Sequence, residues 1–222
     1  IGYQAGRVST TGSERTLIGY AAGYATTSAT NITAVGWKAL TSNTTGSSNT
    51  AVGLNVMEDN TTGENNVAMG VSALADNTTA SYIVAIGRDA MRKNTTGGEN
   101  VGIGYAVLFD NTTGSEITAI GSNALQNNTT GNENVAIGTS AGNANTTGDQ
   151  NTLVGYRAMF TGTDSQYNTI VGHQAGYSQT YSGTQHSAFF GRNAGYSTTT
   201  GRFNTFLGNN AAYANTTGSN NI

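Results

Sequence analysis

Asn134-Val135-Ala136-Ile137-Gly138 is the phrase on which the reading of this chain turns. It returns as Asn66-Val67-Ala68-Met69-Gly70, Asn100-Val101-Gly102-Ile103-Gly104 and Asn151-Thr152-Leu153-Val154-Gly155. With the apolar residue before the glycine taken as position 1, repeats begin at Ile1, Ile18, Val35, Val52, Met69, Ile86, Ile103, Ile120, Ile137, Val154, Val171, Phe190 and Leu207. Every spacing is 17 residues except Val171 to Phe190, which is 19, and position 2 is glycine in all 13 copies. A fixed period of this length marks a stacked-repeat architecture, in which length counts coils instead of domains. Residues 1–222 are therefore expected to form a single array of 13 coils. The chain opens inside one repeat and stops one residue short of completing another, which reads as a window from a longer array.

Strand alternation puts positions 16 and 1 on one face and positions 17 and 2 on the other. Position 1 is always a large aliphatic residue, Met or Phe, and position 16 is nearly always Thr or Val. Position 17 is Ala, Gly, Leu, Ile or Phe. A strand with one wet face would alternate with polar residues, so both faces are expected to be covered. One faces the interior of the coil, and the other needs a partner. The strip of smaller residues is the expected oligomer interface: Ala51, Ala68, Ala119 and Ala136 with Gly53, Gly70, Gly121 and Gly138. Such smallness would let backbones approach closely.

A second apolar pair occupies positions 5 and 6, as in Ala39-Leu40, Ala73-Leu74 and Ala124-Leu125. Position 6 trades volume with the preceding position 17. Ala68 goes with Leu74 and Ala119 with Leu125, whereas Leu17 goes with Gly23 and Phe189 with Gly195. The trade holds in 10 of 12 pairs and fails at Ala136 with Gly142 and at Leu153 with Met159. Close-packed interiors need a nearly constant summed volume, so these positions are expected to line one layer. Each coil then reads as two short strands and two turns, stacked on its neighbours by parallel pairing.

The turn is typically Asn-Thr-Thr-Gly, in which Asn bonds to its own backbone and Gly takes special dihedrals. It also creates sequons, so Asn43, Asn60, Asn77, Asn94, Asn111, Asn128, Asn145 and Asn215 are candidate glycosylation acceptors. The reading favoured for the same residues is a turn with a side-chain hydrogen-bond ladder along the stack, and glycosylation needs a source that has the machinery. The two extra residues between Tyr177 and Ser187 are expected to bulge outward and leave the register intact.

Only 9% of residues are charged and the net charge is −3, which excludes the basic surface a nucleic acid would need. Cysteine and proline are absent, so there is no disulfide framework, and nothing interrupts the ladder hydrogen bonds. No apolar run approaches the roughly 20 residues of a membrane span. His173 falls where other coils carry Tyr3, Tyr20, Tyr105 or Tyr156 and reads as a surface ring, and His186 lies in the inserted turn without evident metal partners. Asp149 and Asp164 have the chemistry of a glycosidase pair, but nothing in the sequence marks a cleft for them. No catalytic group, metal or cofactor is expected.

The phrases Asn49-Thr50-Ala51-Val52-Gly53, Ile1-Gly2-Tyr3-Gln4-Ala5-Gly6 and Val171-Gly172-His173-Gln174-Ala175-Gly176 resemble two related repeat families. One is the head of YadA-like trimeric autotransporter adhesins. The other, closer still, is the repeat of bacterial and phage proteins that contain tail-fibre domains. The resemblance covers the whole chain and implies a left-handed parallel β-roll, three of which pack into a homotrimeric fibre outside a cell or virion. It also implies binding to surfaces or glycans. The coil here is longer than the adhesin's and its turn differs, so adhesin ligand specificity does not carry over. The expected function is a non-enzymatic structural and adhesive fibre segment, able to extend into a longer filament. Two alternatives are an ice-binding solenoid, suggested by stacked pairs such as Thr44-Thr45 and Thr61-Thr62, and a segment of a polysaccharide-degrading tailspike.

Overall fold

A computed structural model describes residues 1–180 and 182–222. Among these residues every regular element is a strand, and the strands are short because each coil turns after three or four extended residues. The chain divides into two compact units, Ile1–Thr113 and Gly114–Ile222. The first unit contains β1 (Arg15–Ile18), β2 (Ile32–Val35), β3 (Thr50–Val52), β4 (Val67–Met69), β5 (Val84–Ile86) and β6 (Val101–Ile103). They pair in sequence order, parallel and one repeat apart, so that Thr50 sits beside Val67 and Val52 beside Met69. The second unit contains β7 (Thr118–Ile120), β8 (Val135–Ile137), β9 (Thr152–Val154), β10 (Ser165–Gln166), β11 (Thr169–Val171), β12 (Gly183–Thr184), β13 (Ala188–Phe190) and β14 (Thr205–Leu207). Its main sheet runs β7-β8-β9-β11-β13-β14, and β10 pairs with β12 beside it. Both units are parallel β-solenoids with the expected coil length.

Most coils form one regular strand where two were expected, and the added strands β10 and β12 do not fall at the second apolar pair. The apolar pair at positions 5 and 6 lies in a run of turns. Position 4 and position 6 are both left-handed there, as at Ser72 (φ 54) and Leu74 (φ 53), so the chain cannot stay extended. Its backbone groups are still satisfied across coils: Leu40 N–H donates to Val56 at 3.0 Å, Met57 to Ala73 at 3.1 Å and Leu74 to Ala90 at 2.9 Å. Coil-to-coil hydrogen bonding thus continues through segments with no strand geometry.

The interior is built from positions 17, 5 and 6. Ala51, Ala68, Leu74, Met91, Leu125, Ala136 and Phe189 are all fully buried. The volume trade is physical contact: a Cβ built on Gly23 would lie 2.7 Å from a methyl of Leu17, and one on Gly195 would lie 2.6 Å from the ring of Phe189. The two exceptions are adjacent coils that compensate each other. A Cβ on Gly142 would meet Leu153 at 2.6 Å and Leu125 at 2.9 Å, so the excess volume beside Met159 fills the deficit beside Ala136. Volume is conserved along the core, not strictly within each coil.

Across the 19-residue spacing the register is kept, with Thr169 beside Ala188 and Val171 beside Phe190. The insertion was expected to be an outward bulge, and Tyr181 within it lies outside the described residues. Of its neighbours, Ser182 and Thr184 are exposed, whereas Gly183–Thr184 pairs with Ser165–Gln166 and Gln185 is buried. The segment is therefore partly absorbed into the stack.

Candidate functional site

The surface with the most regular chemistry is the outward face of the strands. In β4, Val67 and Met69 are 37% and 42% exposed while Ala68 between them is fully buried. The same alternation recurs in β6, β7 and β8, and in-register pairing lines up Val52, Met69, Ile86 and Ile103 in the first unit. Position 3 adds exposed Leu54 and Val71 beside this row. The result, in each unit, is a mainly aliphatic outward row that is exposed or half-buried, with one or two residues from each coil.

This reverses the expected interface. Ala51, Ala68, Ala119 and Ala136 are fully buried in their own coils. They cannot touch a second chain. Gly53, Gly70, Gly121 and Gly138 are half-buried and set the coil spacing instead, because each stacks on the glycine of the next coil. The sequence showed two apolar faces and assigned the smaller to the partner. A coil this narrow has room inside for one small and one large side chain per level, which puts position 17 inside and position 1 outside.

The candidate acceptors form an internal ladder. Asn43, Asn60, Asn77, Asn94, Asn111, Asn128 and Asn145 are fully buried, and Asn215 is half-buried. Asn60 Nδ2 donates to Asn43 Oδ1 at 2.8 Å and to Gly63 O at 3.1 Å, while its own Oδ1 accepts from Asn77 Nδ2 at 2.6 Å. The second unit repeats the pattern, with Asn145 Nδ2 on Asn128 Oδ1 at 3.0 Å. The nitrogens that a glycan would need are spent in these bonds, so the buried seven are closed to glycosylation in the folded chain. Asn60→Ala would leave an acceptor and a donor of the ladder short in a buried site. We expect a loss of about 2–4 kcal/mol, read from urea denaturation.

A second ladder was missed in the sequence, although its signal is the first letter of the recurring phrase. Asn49 Oδ1 accepts Asn66 N–H at 3.0 Å and its Nδ2 donates to Gly63 O at 2.7 Å. Asn134 and Asn151 do the same in the second unit, where their Oδ1 atoms accept the next N–H at 3.0 and 3.1 Å and their Nδ2 groups donate to Gly148 O and Ser165 O. The two ladders satisfy most of the polar lining of the turn and let it be buried, and the first ends at Asn145, whose Oδ1 finds no partner because Gly162 stands one repeat on.

The threonine rows divide by role. Thr44, Thr61 and Thr78 turn their hydroxyls along the stack, each donating to the carbonyl of the next coil's threonine at 2.9–3.1 Å. Only the outer row, Thr45, Thr62, Thr79 and Thr96, is exposed.

Exposed His173 stacks on Tyr156 with centroids 5.1 Å apart. Exposed His186 lies between Tyr167 and Phe203 at 4.9 and 5.6 Å. Asp149 accepts the Asn132 N–H at 2.7 Å and Asp164 accepts the Ser182 hydroxyl at 2.5 Å, so each carboxylate is bonded to the turn of an adjacent coil. Burial raises the Asp76 carboxyl above the usual aspartate range, with Asp59 and Glu58 adding to the rise and Arg92 and Lys93 opposing it. No group of three or more His, Asp or Glu residues positioned to hold a metal occurs among the described residues. No helix there is long and apolar enough to cross a membrane. No protein-family profile, no curated protein and no solved structure matches the chain.

Proposed function

We propose that this chain is a non-enzymatic structural and adhesive fibre segment that assembles with two further copies of itself, parallel and in register, outside a cell or virion. The observation that carries the reading is the outward apolar row that each unit presents, Val67, Met69 and Ile103 in the first and Ile120 and Ile137 in the second. An apolar row repeated on every coil is the kind of exposed patch that marks an interaction surface. A second copy offers the matching row at the same spacing, so each coil of one chain meets its equivalent in the others. The resemblance to trimeric adhesin heads and tail-fibre repeats supports the same assembly. Repetition gives length, and the exposed turns, displayed many times along a fibre, convert weak contacts with surface glycans into avidity.

The test is the mass of the assembly in solution. Sedimentation equilibrium is expected to give a trimer for the native chain and a monomer for Val67→Lys/Met69→Lys/Ile137→Lys, with the far-UV circular dichroism unchanged. A native chain that stays a folded monomer at micromolar concentration overturns the fibre reading. Because the inner threonine hydroxyls are bonded along the stack, no thermal hysteresis is expected, and its appearance would favour the ice-binding alternative.

A further inference from the structure

In the second unit position 7 carries an aromatic ring in four successive coils, and these rings form one stack. Phe160 and Tyr177 have centroids 5.2 Å apart, Tyr177 and Tyr196 5.0 Å, and Tyr196 and Tyr213 5.0 Å. The interplanar angles of the two tyrosine pairs are 8° and 7°. The backbone holds them there, since Ser178 N–H donates to Tyr196 O at 3.0 Å and Ser197 N–H to Tyr213 O at 3.1 Å. Parallel coils repeat by translation, so the same edge of each phenol is set against the same edge of the next. The rings hide their faces in the stack and turn edges to solvent, which makes them poor platforms for a sugar ring. Tyr177 and Tyr196 are half-buried and Tyr213 is exposed, so an oxidant can reach the stack.

We propose that Tyr177–Tyr196 and Tyr196–Tyr213 are sites of oxidative dityrosine cross-linking between adjacent coils, with a haem peroxidase and hydrogen peroxide as co-reactants. Each phenol gives up one electron and its hydroxyl proton to become a phenoxyl radical. The two radicals join through a carbon–carbon bond between ortho positions, and the ortho hydrogens pass to the oxygens to restore both aromatic phenols. Two electrons and two protons leave per link and reduce one peroxide to two waters. Neighbouring phenols held in place replace a bimolecular encounter by an intramolecular step, which is the source of the selectivity. The link would staple one coil to the next.

The chain carries its own controls. Tyr82 and Tyr105 are 64% and 53% exposed, and among the described residues neither has a ring stacked on it. Tyr3 and Tyr20 are a looser pair, at 5.7 Å and 18°.

The experiment treats the folded native chain with peroxidase and limiting hydrogen peroxide, and maps linked peptides by mass spectrometry beside dityrosine fluorescence. Peptides joining Tyr177 to Tyr196 or Tyr196 to Tyr213, two hydrogens lighter, are expected to exceed any containing Tyr82 or Tyr105 by about tenfold or more. Tyr196→Phe keeps a ring in the stack and breaks both pairs, so links within this stack should vanish, whereas Tyr82→Phe should leave them unchanged. Tyr213→Phe should remove only the second link, with circular dichroism checking that each variant folds. Ladder tyrosines that stay unlinked while Tyr82 and Tyr105 couple between chains would overturn the proposal. So would persistence of Tyr177 or Tyr213 links within the stack in Tyr196→Phe.

Discussion

Glutamate at position 68 is expected to unfold the coil that carries it. Ala68 is fully buried, lies in register between Ala51 and Ala85, and faces the interior layer that includes Leu74. A longer side chain there must displace packed neighbours, and its carboxylate would have neither water nor a cation to answer it. We expect a loss above about 4 kcal/mol, seen as a collapse of the urea midpoint and of the strand signal in circular dichroism. Val67→Lys, one residue away but pointing outward, is expected to stay within about 1 kcal/mol of the native chain. This pair of variants separates fold from assembly. An Ala68→Glu chain that folds normally and merely changes its oligomeric state would return position 17 to the surface and overturn its inward placement.

Alanine at position 70 is expected to force adjacent coils apart. Gly70 has φ 128, a conformation that L side chains rarely adopt, and its Cβ would lie 2.5 Å from Gly87 O and 2.6 Å from the carbonyl carbon of the same residue. The obstacle is backbone, which cannot step aside, because Gly87 N–H is bonded to Met69 O at 2.8 Å and Gly70 N–H to Val52 O at 3.0 Å. Strained dihedrals and overpacking together predict a loss of about 3–5 kcal/mol in urea denaturation. Hydrogen exchange should show the amides of Gly70 and Gly87 losing protection first. Thr79→Ala, on an exposed threonine of the turn, serves as the control and is expected to change stability by less than about 0.5 kcal/mol. If Gly70→Ala proves as mild as that control, the glycine column does not set the coil spacing.

Much of this molecule is written in its period. The spacing of the glycines fixes the coil, and identical residues one repeat apart leave parallel in-register pairing as the arrangement that aligns every position with its equivalent. The turn chemistry of Asn43 to Gly46 was also legible, because Asn and Gly are chosen there for local reasons. The asparagine ladder of Asn43, Asn60 and Asn77 followed from that turn and the repeat together.

Less legible were the left-handed positions held by ordinary residues. Leu74 (φ 53), Met57 (φ 48) and Tyr82 (φ 62) have no local preference for that conformation, which costs a residue with a Cβ roughly 1–2 kcal/mol. Hydrogen bonds to the neighbouring coil hold them in it, and a local reading of sequence cannot weigh a neighbour it has not yet placed. The same limit explains Gly142, an exception to the volume rule within its own coil, over which Leu125 and Leu153 close from either side.

The sequence alone determined the coil, its length and its two apolar faces, because these follow from periodicity and alternation. Only the tertiary structure decided which face is inside. Alternation assigns residues to faces but gives the faces no sign. The sign comes from space: Ala68 and Leu74 fill the narrow interior together, so Val67 and Met69 are left outside.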